Sequence, residues 1–156
     1  RMARAAELGM GYAEYATLYR TGGRDPAGLL FTPGALHLRL KRRLEMPDPV
    51  RAHLARLGPC HLLALAPEGE APAAFLDELR AVSHLPFAAA AAMPAADAPW
   101  QGLVGAVRAL LDPLRLPGTA IALIGAGHEA RLNSNLCTAG RLAGVLDRDA
   151  YFRPAV

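Results

Sequence analysis

The sequence predicts an α/β domain in which helices cover both faces of a mixed, mainly parallel sheet of four or five strands, giving three layers. First, short apolar segments with the length of buried strands alternate with longer segments of helical periodicity, a pattern typical of βαβ units. Second, hydrophobic residues make up 53% of the 156 residues and charged residues 20%, which suits a chain with a substantial core. Third, no repeat or interdomain linker interrupts the pattern, so we expect one domain over residues 1–156.

The N-terminal part of the chain leaves alternatives open. The segment 2–20 favours a helix, although its aromatic part also suits a strand. The segment 28–41 predicts a hairpin that extends one edge of the sheet in antiparallel fashion. Its second half alternates leucine with polar residues, and Pro33-Gly34 fits a type II turn. Leucines at every fourth position there would fit a helical stripe as well.

The rest of the chain alternates more regularly between helices and strands. We predict helix 49–57, strand 60–66, helix 71–83, strand 86–92, a helix begun by Asp97, strand 119–124 and helix 132–146. Asp97 is expected to cap its helix and Pro99 to occupy the first turn. The clearest amphipathic stripe of the sequence follows, from Trp100 to Leu111.

A glycine-rich turn follows the last predicted strand. Gly125, Gly127 and Ala130 stand at the three small positions of a Gly-x-Gly-x-x-Gly/Ala loop between a strand and a helix. Over about ten residues this loop resembles the Rossmann dinucleotide-binding fingerprint. The resemblance implies a tight turn at the first glycine, close approach of a phosphate at the second, and close packing of helix on strand at the third.

The surroundings of the loop differ from those of the fingerprint. The fingerprint normally opens the first βαβ unit and has an acidic residue about 20 residues on, at the end of a second strand. Here 26 residues follow Ala130, and Asp147 and Asp149, which have the spacing, are predicted at the end of the last helix. We therefore assign no family and expect no dinucleotide site.

A more general ligand site is still predicted at this turn. Strand ends at the carboxyl edge of a parallel sheet form clefts where ligands commonly bind. The residues predicted to bind the ligand are Gly125, Gly127, His128, Arg131, Asn133, Ser134 and Asn135. The alternative is a plain strand-to-helix turn, in which the glycines supply positive φ and an asparagine or serine caps the helix.

The sequence identifies no catalytic residue, cofactor or metal. Cys60 and Cys137 are too few for a disulfide framework and suit buried, reduced thiols. Cys137 would fall in the first turn of the last helix if Asn133 or Ser134 were the cap, where a thiol can become nucleophilic. A packed cysteine is the simpler interpretation. Because the histidines and cysteines lack paired metal-ligand spacing, we expect no metal site.

The charge and hydropathy patterns exclude several partners. The net charge is +3, and 16 of the 17 basic residues are arginine, so we expect no nucleic-acid partner. The basic cluster 39–45 suits the protection of an exposed edge strand. No segment has the length of a membrane span, and none resembles a secretory signal. A cytoplasmic protein without membrane contact is therefore expected, although Arg1 leaves the origin of the N-terminus open.

Three functional hypotheses are consistent with these features. The first is a small-molecule-binding or accessory domain without catalysis of its own. The second is an enzyme that acts on a phosphate- or carboxylate-bearing small molecule, with Arg131 and a helix N-terminus holding the anion. The third is a structural or partner-binding protein that acts as a homodimer through the helix face 139–144, where Gly140 and Gly144 would permit close approach.

Overall fold

A five-stranded parallel sheet forms the centre of the structure, a computed structural model that describes residues 2–40 and 44–153. The helices in chain order are α1 (Met2–Glu7), α2 (Tyr12–Gly22), α3 (Asp48–Ala55), α4 (Pro72–Ser83), α5 (Trp100–Leu111), α6 (Ala130–Gly140) and α7 (Arg148–Tyr151). The strands are β1 (Gly28–Phe31), β2 (Arg39–Leu40), β3 (Leu44–Glu45), β4 (His61–Ala66), β5 (Phe87–Ala92), β6 (Ile121–Gly125) and β7 (Gly144–Asp147).

The order of strands in the main sheet is β5–β4–β1–β6–β7, and all four pairings are parallel. The chain therefore begins the sheet at its centre, builds outward to the β5 edge, and then returns to the centre to build the other edge. Helices lie on both faces. The predicted three-layer α/β architecture, with four or five strands in its sheet, is confirmed. The sheet was expected to be mixed, but its five strands are all parallel.

The central strand separates two hydrophobic cores. Leu29 and Phe31 point to one face, where they pack with the apolar residues of α1 to α4 and α7. Leu30 points to the other face and packs with Ile121, Leu123 and the apolar stripes of α5 and α6. Since all four residues of β1 are buried, this strand is continuously apolar, as strands covered on both faces are.

The predicted hairpin over residues 28–41 is wrong. β1 lies at the centre of the sheet with a parallel neighbour on each side, and β2 pairs with β3 in a separate antiparallel ribbon. A type II turn would require a positive φ at Gly34, and Gly34 does not have one. The residue with positive φ in this segment is His37, at 52°. Part of the basic cluster, residues 41–43, lies outside the described residues.

Two further expectations for helix boundaries are corrected. The segment 2–20 forms two helices, separated at Gly9, whose φ is +73°. Its aromatic part belongs to α2 and is not a strand. The helix expected to be capped by Asp97 instead begins after Pro99, with no side-chain cap hydrogen bond. Within the described ranges, no helix combines the length and the apolar character that crossing a membrane requires.

The predicted last helix over 132–146 is also wrong, because α6 ends at Gly140. Arg141 adopts the left-handed conformation with φ 52°, and the chain then enters β7, which runs parallel to β6. A Cβ on Gly140 would lie 2.7 Å from Val107 of α5, and one on Gly144 would lie 2.9 Å from Leu18 of α2. These glycines serve internal packing on opposite faces of the sheet, so the helical dimer face proposed for 139–144 does not exist.

The left-handed end of α6 predicts opposite outcomes for two arginine-to-glycine substitutions. Arg141→Gly should leave the free energy of unfolding unchanged or raise it by up to about 1 kcal/mol, because glycine adopts positive φ without strain. Arg108→Gly, at an exposed position inside α5, should lower it by about 0.5–1 kcal/mol. Urea unfolding monitored by circular dichroism measures both. Equal losses in the two variants would show that the helix continues through residue 141.

Candidate ligand-binding site

The glycine turn and Asp147 lie together at the carboxyl edge of the sheet. β6 ends at Gly125, and the chain passes through a 3-10 turn, Gly127–Glu129, into α6. β7 then returns beside β6, with Asp147 as the register partner of Gly125. Asp147 was expected at the end of a helix, but it is the last residue of a strand, 20 residues after Gly127. Asp147 therefore occupies the end of a second strand, the position at which the fingerprint has its acidic residue. The sequence did not reveal this strand.

A cleft of about 400 Å³ opens between the glycine turn, α6 and β7. The turn contributes Gly125 to Gly127 to its lining. One wall is the face of α6 that carries Ala130, Asn133, Ser134, Cys137 and Thr138, which follow the helical repeat. The other wall is β7, which contributes Val145 and Asp147 from alternate positions of the strand.

The structure brings four of the seven predicted site residues to this cleft. Gly125, Gly127, Asn133 and Ser134 line it, whereas His128, Arg131 and Asn135 do not. His128 and Arg131 are exposed outside it, and Asn135 is half-buried. Neither Asn133 nor Ser134 caps the helix, since both lie inside α6.

The predicted ligand-binding set lacked six of the lining residues: Ala126, Ala130, Cys137, Thr138, Val145 and Asp147. Thr138 lies four residues after Ser134, so the helical repeat could have placed it on the same face. Val145 and Asp147 share a face only because 144–147 is a strand, which the sequence did not reveal.

The side chain of Asn133 packs against the backbone of β6 at Gly125. A Cβ at Gly125 would overlap the Asn133 amide group, so glycine is required there by packing. Asn133 is 3% exposed, and its Nδ2 donates a hydrogen bond to the carbonyl oxygen of Ala126 at 3.2 Å. Its Oδ1 is buried and has no hydrogen-bond partner. This oxygen has less than 1 Å² of accessible surface, so it is enclosed by the packing of α6 on β6 and does not face the open part of the cleft.

Gly127 contrasts with Gly125. Its φ is not positive, and the nearest atom to a Cβ built on it would be Asp147 Oδ1, at 3.7 Å. Neither conformation nor packing within the protein therefore requires glycine at this position. A side chain would instead occupy the space between the turn and Asp147, at the mouth of the cleft.

The crevice where the strand order reverses, between β1 and β6, is already filled. Ligands of open α/β sheets commonly bind at this reversal. Here Glu129 Oε1 accepts hydrogen bonds from Thr32 Oγ1 at 2.7 Å and from the backbone N–H of Ala126 at 3.1 Å. Because the carboxylate of Glu129 bridges the two strand ends, the open cleft lies one strand further along, between β6 and β7.

Cys137 is the eighth residue of α6 and does not lie in its first turn. Its thiol donates a weak hydrogen bond to the carbonyl oxygen of Leu142, with 3.7 Å between the two atoms. Burial raises the pKa of the Cys137 thiol above its ordinary value. The thiol is therefore largely protonated at neutral pH, which argues against a nucleophilic role.

Among the residues that the structure describes, no group of three or more His, Cys, Asp or Glu side chains is placed to hold a metal ion. Comparison of the chain with protein-family models, curated proteins and solved structures finds no match.

The two glycines of the turn predict different stabilities for the same substitution. Gly125→Ala should lower the free energy of unfolding by about 1–3 kcal/mol, because the new methyl group displaces the buried Asn133 amide. Gly127→Ala should change it by no more than about 0.5 kcal/mol, because its Cβ meets only an ordinary contact. Denaturant titration of both variants measures the difference. A large loss for Gly127→Ala would mean that the fold itself requires this glycine.

Proposed function

We propose that this is a small-molecule-binding domain without catalysis of its own, and that its ligand occupies the cleft between α6 and β7. The observation that carries the proposal is the open cleft of about 400 Å³ at the carboxyl edge of the sheet. Ligands of open α/β sheets commonly bind in clefts at this edge. Val145 and Asp147 are exposed on the β7 wall, so the cleft presents both an apolar and a charged side chain to a ligand.

The size and lining of the cleft support a small ligand. Its volume of about 400 Å³ lies in the lower part of the range for small-molecule sites. Apolar and hydrogen-bonding groups face each other across it, with Val145 on β7 and the hydroxyls of Ser134 and Thr138 on α6. Such a mixed lining is typical of sites that bury an apolar part of a ligand and orient it by a few polar contacts.

The start of the helix favours an anionic group on that ligand. The first N–H groups of the turn into α6 have no acceptor within the helix, and the helix dipole places partial positive charge there. Of the backbone N–H groups at this turn, Glu129 accepts that of Ala126. The N–H groups of Gly127 and His128 follow it and precede the first hydrogen bond of the 3-10 turn, which Glu129 N–H donates to the carbonyl oxygen of Ala126. The glycine at 127 lets an anion approach these groups closely.

The ionisable groups of the lining do not form a catalytic set. The cleft's described lining contains Cys137 and Asp147 as its ionisable side chains, and the thiol pKa is raised by burial. A single carboxylate without a paired base is a poor general acid–base device. The alternative was an enzyme that holds the anion of its substrate with Arg131. Arg131 does not line the cleft, so its guanidinium is not placed to hold an anion there.

A thermal-shift screen tests the proposal. The panel contains nicotinamide and adenine nucleotides, coenzyme A, S-adenosylmethionine and sugar phosphates. A ligand at one hundred times its Kd should stabilise the protein by about 2.7 kcal/mol, a shift of roughly 2–4 °C per kcal/mol for a chain of this size. Gly127→Val should abolish the shift by blocking the mouth of the cleft.

The matched control for that substitution is Gly105→Val, on the exposed face of α5, where a Cβ meets no atom within 4 Å. This variant should keep the full ligand response. A ligand whose shift survived Gly127→Val unchanged would bind elsewhere, and this result would contradict the proposed site.

The two cysteines provide a second test that reports the location of the ligand. Cys137 lines the cleft, whereas Cys60 lies before β4, outside it. Burial raises the pKa of both thiols, so alkylation should be followed above pH 8. A bound ligand should slow the alkylation of Cys137 and leave that of Cys60 unchanged. Equal protection of both thiols would indicate general stabilisation without occupancy of the cleft.

A further inference from the structure

We propose that a second cleft, on the opposite side of the sheet from the first, binds a small monocarboxylic acid that has an apolar body. This cleft has a volume of about 470 Å³ and opens where the turn between α1 and α2, the end of α3 and the helix α7 meet. These elements pack on the core that Phe31 faces, whereas α6 packs on the core of the other face. Binding here is therefore independent of any ligand between α6 and β7.

Hydrogen bonds to the turn between α1 and α2 fix the floor of the second cleft. Tyr151 Oη donates to the carbonyl oxygen of Leu8 at 2.9 Å, and His53 Nε2 lies 3.0 Å from the carbonyl oxygen of Gly9. Both side chains close on Gly9, where a Cβ would lie 2.6 Å from His53 Nε2 and 2.9 Å from the Tyr151 hydroxyl. Gly9 also has a φ of +73°, which glycine adopts without strain. The floor is therefore formed before a ligand arrives, which lowers the cost of binding.

His53, which lines the second cleft, carries no charge at neutral pH. Burial lowers the pKa of His53, and the nearby Arg56 guanidinium adds to this effect, while the hydrogen bond to Gly9 opposes it. Because a carbonyl oxygen only accepts, Nε2 donates to Gly9, and Nδ1 of the neutral ring carries no proton. The ring packs against Tyr151 and Phe152, with centroid distances of 4.7 and 5.0 Å, which holds it in this orientation.

The charged side chains of the second cleft favour a single negative charge on the ligand. They are Arg56, Arg153 and Glu14, so two guanidinium groups stand against one carboxylate. Among the residues that the structure describes, none of the three forms a salt bridge, and both arginines are exposed. A carboxylate balances the one surplus positive charge and can accept two parallel hydrogen bonds from a guanidinium. A phosphate dianion would instead leave a surplus of negative charge beside Glu14.

Apolar side chains line the second cleft beside these charges and favour an apolar body on the ligand. Ala6, Met10, Leu57 and Ala150 supply them. Met10 is buried and belongs to the core of this face, so the apolar part of the cleft continues into that core. A short-chain fatty acid combines one carboxylate with such a body. Each methylene group that it buries should tighten binding by up to about fourfold.

The test compares three probes that share one alkyl chain and differ in charge: octanoate, octanol and protonated octylamine. NMR of methyl-labelled methionine gives both the Kd and the location, because Met10 lines the second cleft and Met93, just after β5, does not. Octanoate should shift the methyl signal of Met10 and leave that of Met93 in place. Octanol should bind several-fold more weakly than octanoate, and octylamine more weakly still, because the surplus positive charge repels it.

Arg56→Gln and Arg153→Gln each remove one charge from an exposed side chain, so both variants should fold normally. Each should weaken the binding of octanoate by about fivefold, the upper range for an exposed ion pair, and leave the affinity for octanol unchanged. Arg51→Gln, on α3 but outside the lining, is the matched control and should bind octanoate as the unmodified protein does. Gly127→Val, which blocks the first cleft, should also leave octanoate binding unchanged.

Two results would overturn the inference. If octanol bound as tightly as octanoate, the two arginines would not select a carboxylate. If none of the three probes shifted the Met10 signal at millimolar concentration, the second cleft would hold no ligand of this kind. Either result would leave the proposed function intact, because the response of Cys137 and the Gly127→Val variant test that function on the other face of the sheet.

Discussion

The contact between Asn133 and the end of β6 determines the shape of the candidate site. Gly125 has no side chain, so α6 packs with the Asn133 amide directly against the strand, and Nδ2 is tied to the carbonyl oxygen of Ala126. This contact sets the rotation of α6. Ser134, Cys137 and Thr138 consequently face β7, and the cleft opens between them and the strand. The same packing encloses Oδ1 without a hydrogen-bond partner.

A second internal contact explains why the open cleft does not lie at the reversal of strand order. Glu129 occupies the crevice between β1 and β6, where its carboxylate accepts from Thr32 and from the N–H of Ala126. A Cβ on Gly34 would approach this carboxylate to 2.8 Å, so the β1 side of the crevice is closely packed too. The acidic group stabilises the helix start, as carboxylates near helix N-termini do, and it leaves the open cleft on the β7 side.

The sequence predicted most of the fold because short apolar segments alternate regularly with longer segments of helical periodicity. The apolar segments that became β4, β5 and β6 are short, and turn residues bound them. β7 was missed because it has only four residues and because α6 ends at Arg141 in the left-handed conformation, where sequence rules expect glycine. With β7 taken for helix, Asp147 could not be placed opposite Gly127. The unpaired oxygen of Asn133 depends on tertiary packing, which no local pattern encodes.

The central claim is that a ligand binds between the glycine turn, α6 and β7, and two-dimensional ¹H–¹⁵N NMR tests it most directly. Titration with the panel compound that raises the melting temperature most should shift the backbone amides of Gly127 and His128 and the side-chain amide of Asn133. The indole signal of Trp100, at the start of α5 outside the cleft, should stay in place. Shifts centred on Trp100, or on Thr32 and Gly34 with Gly127 unchanged, would contradict the account.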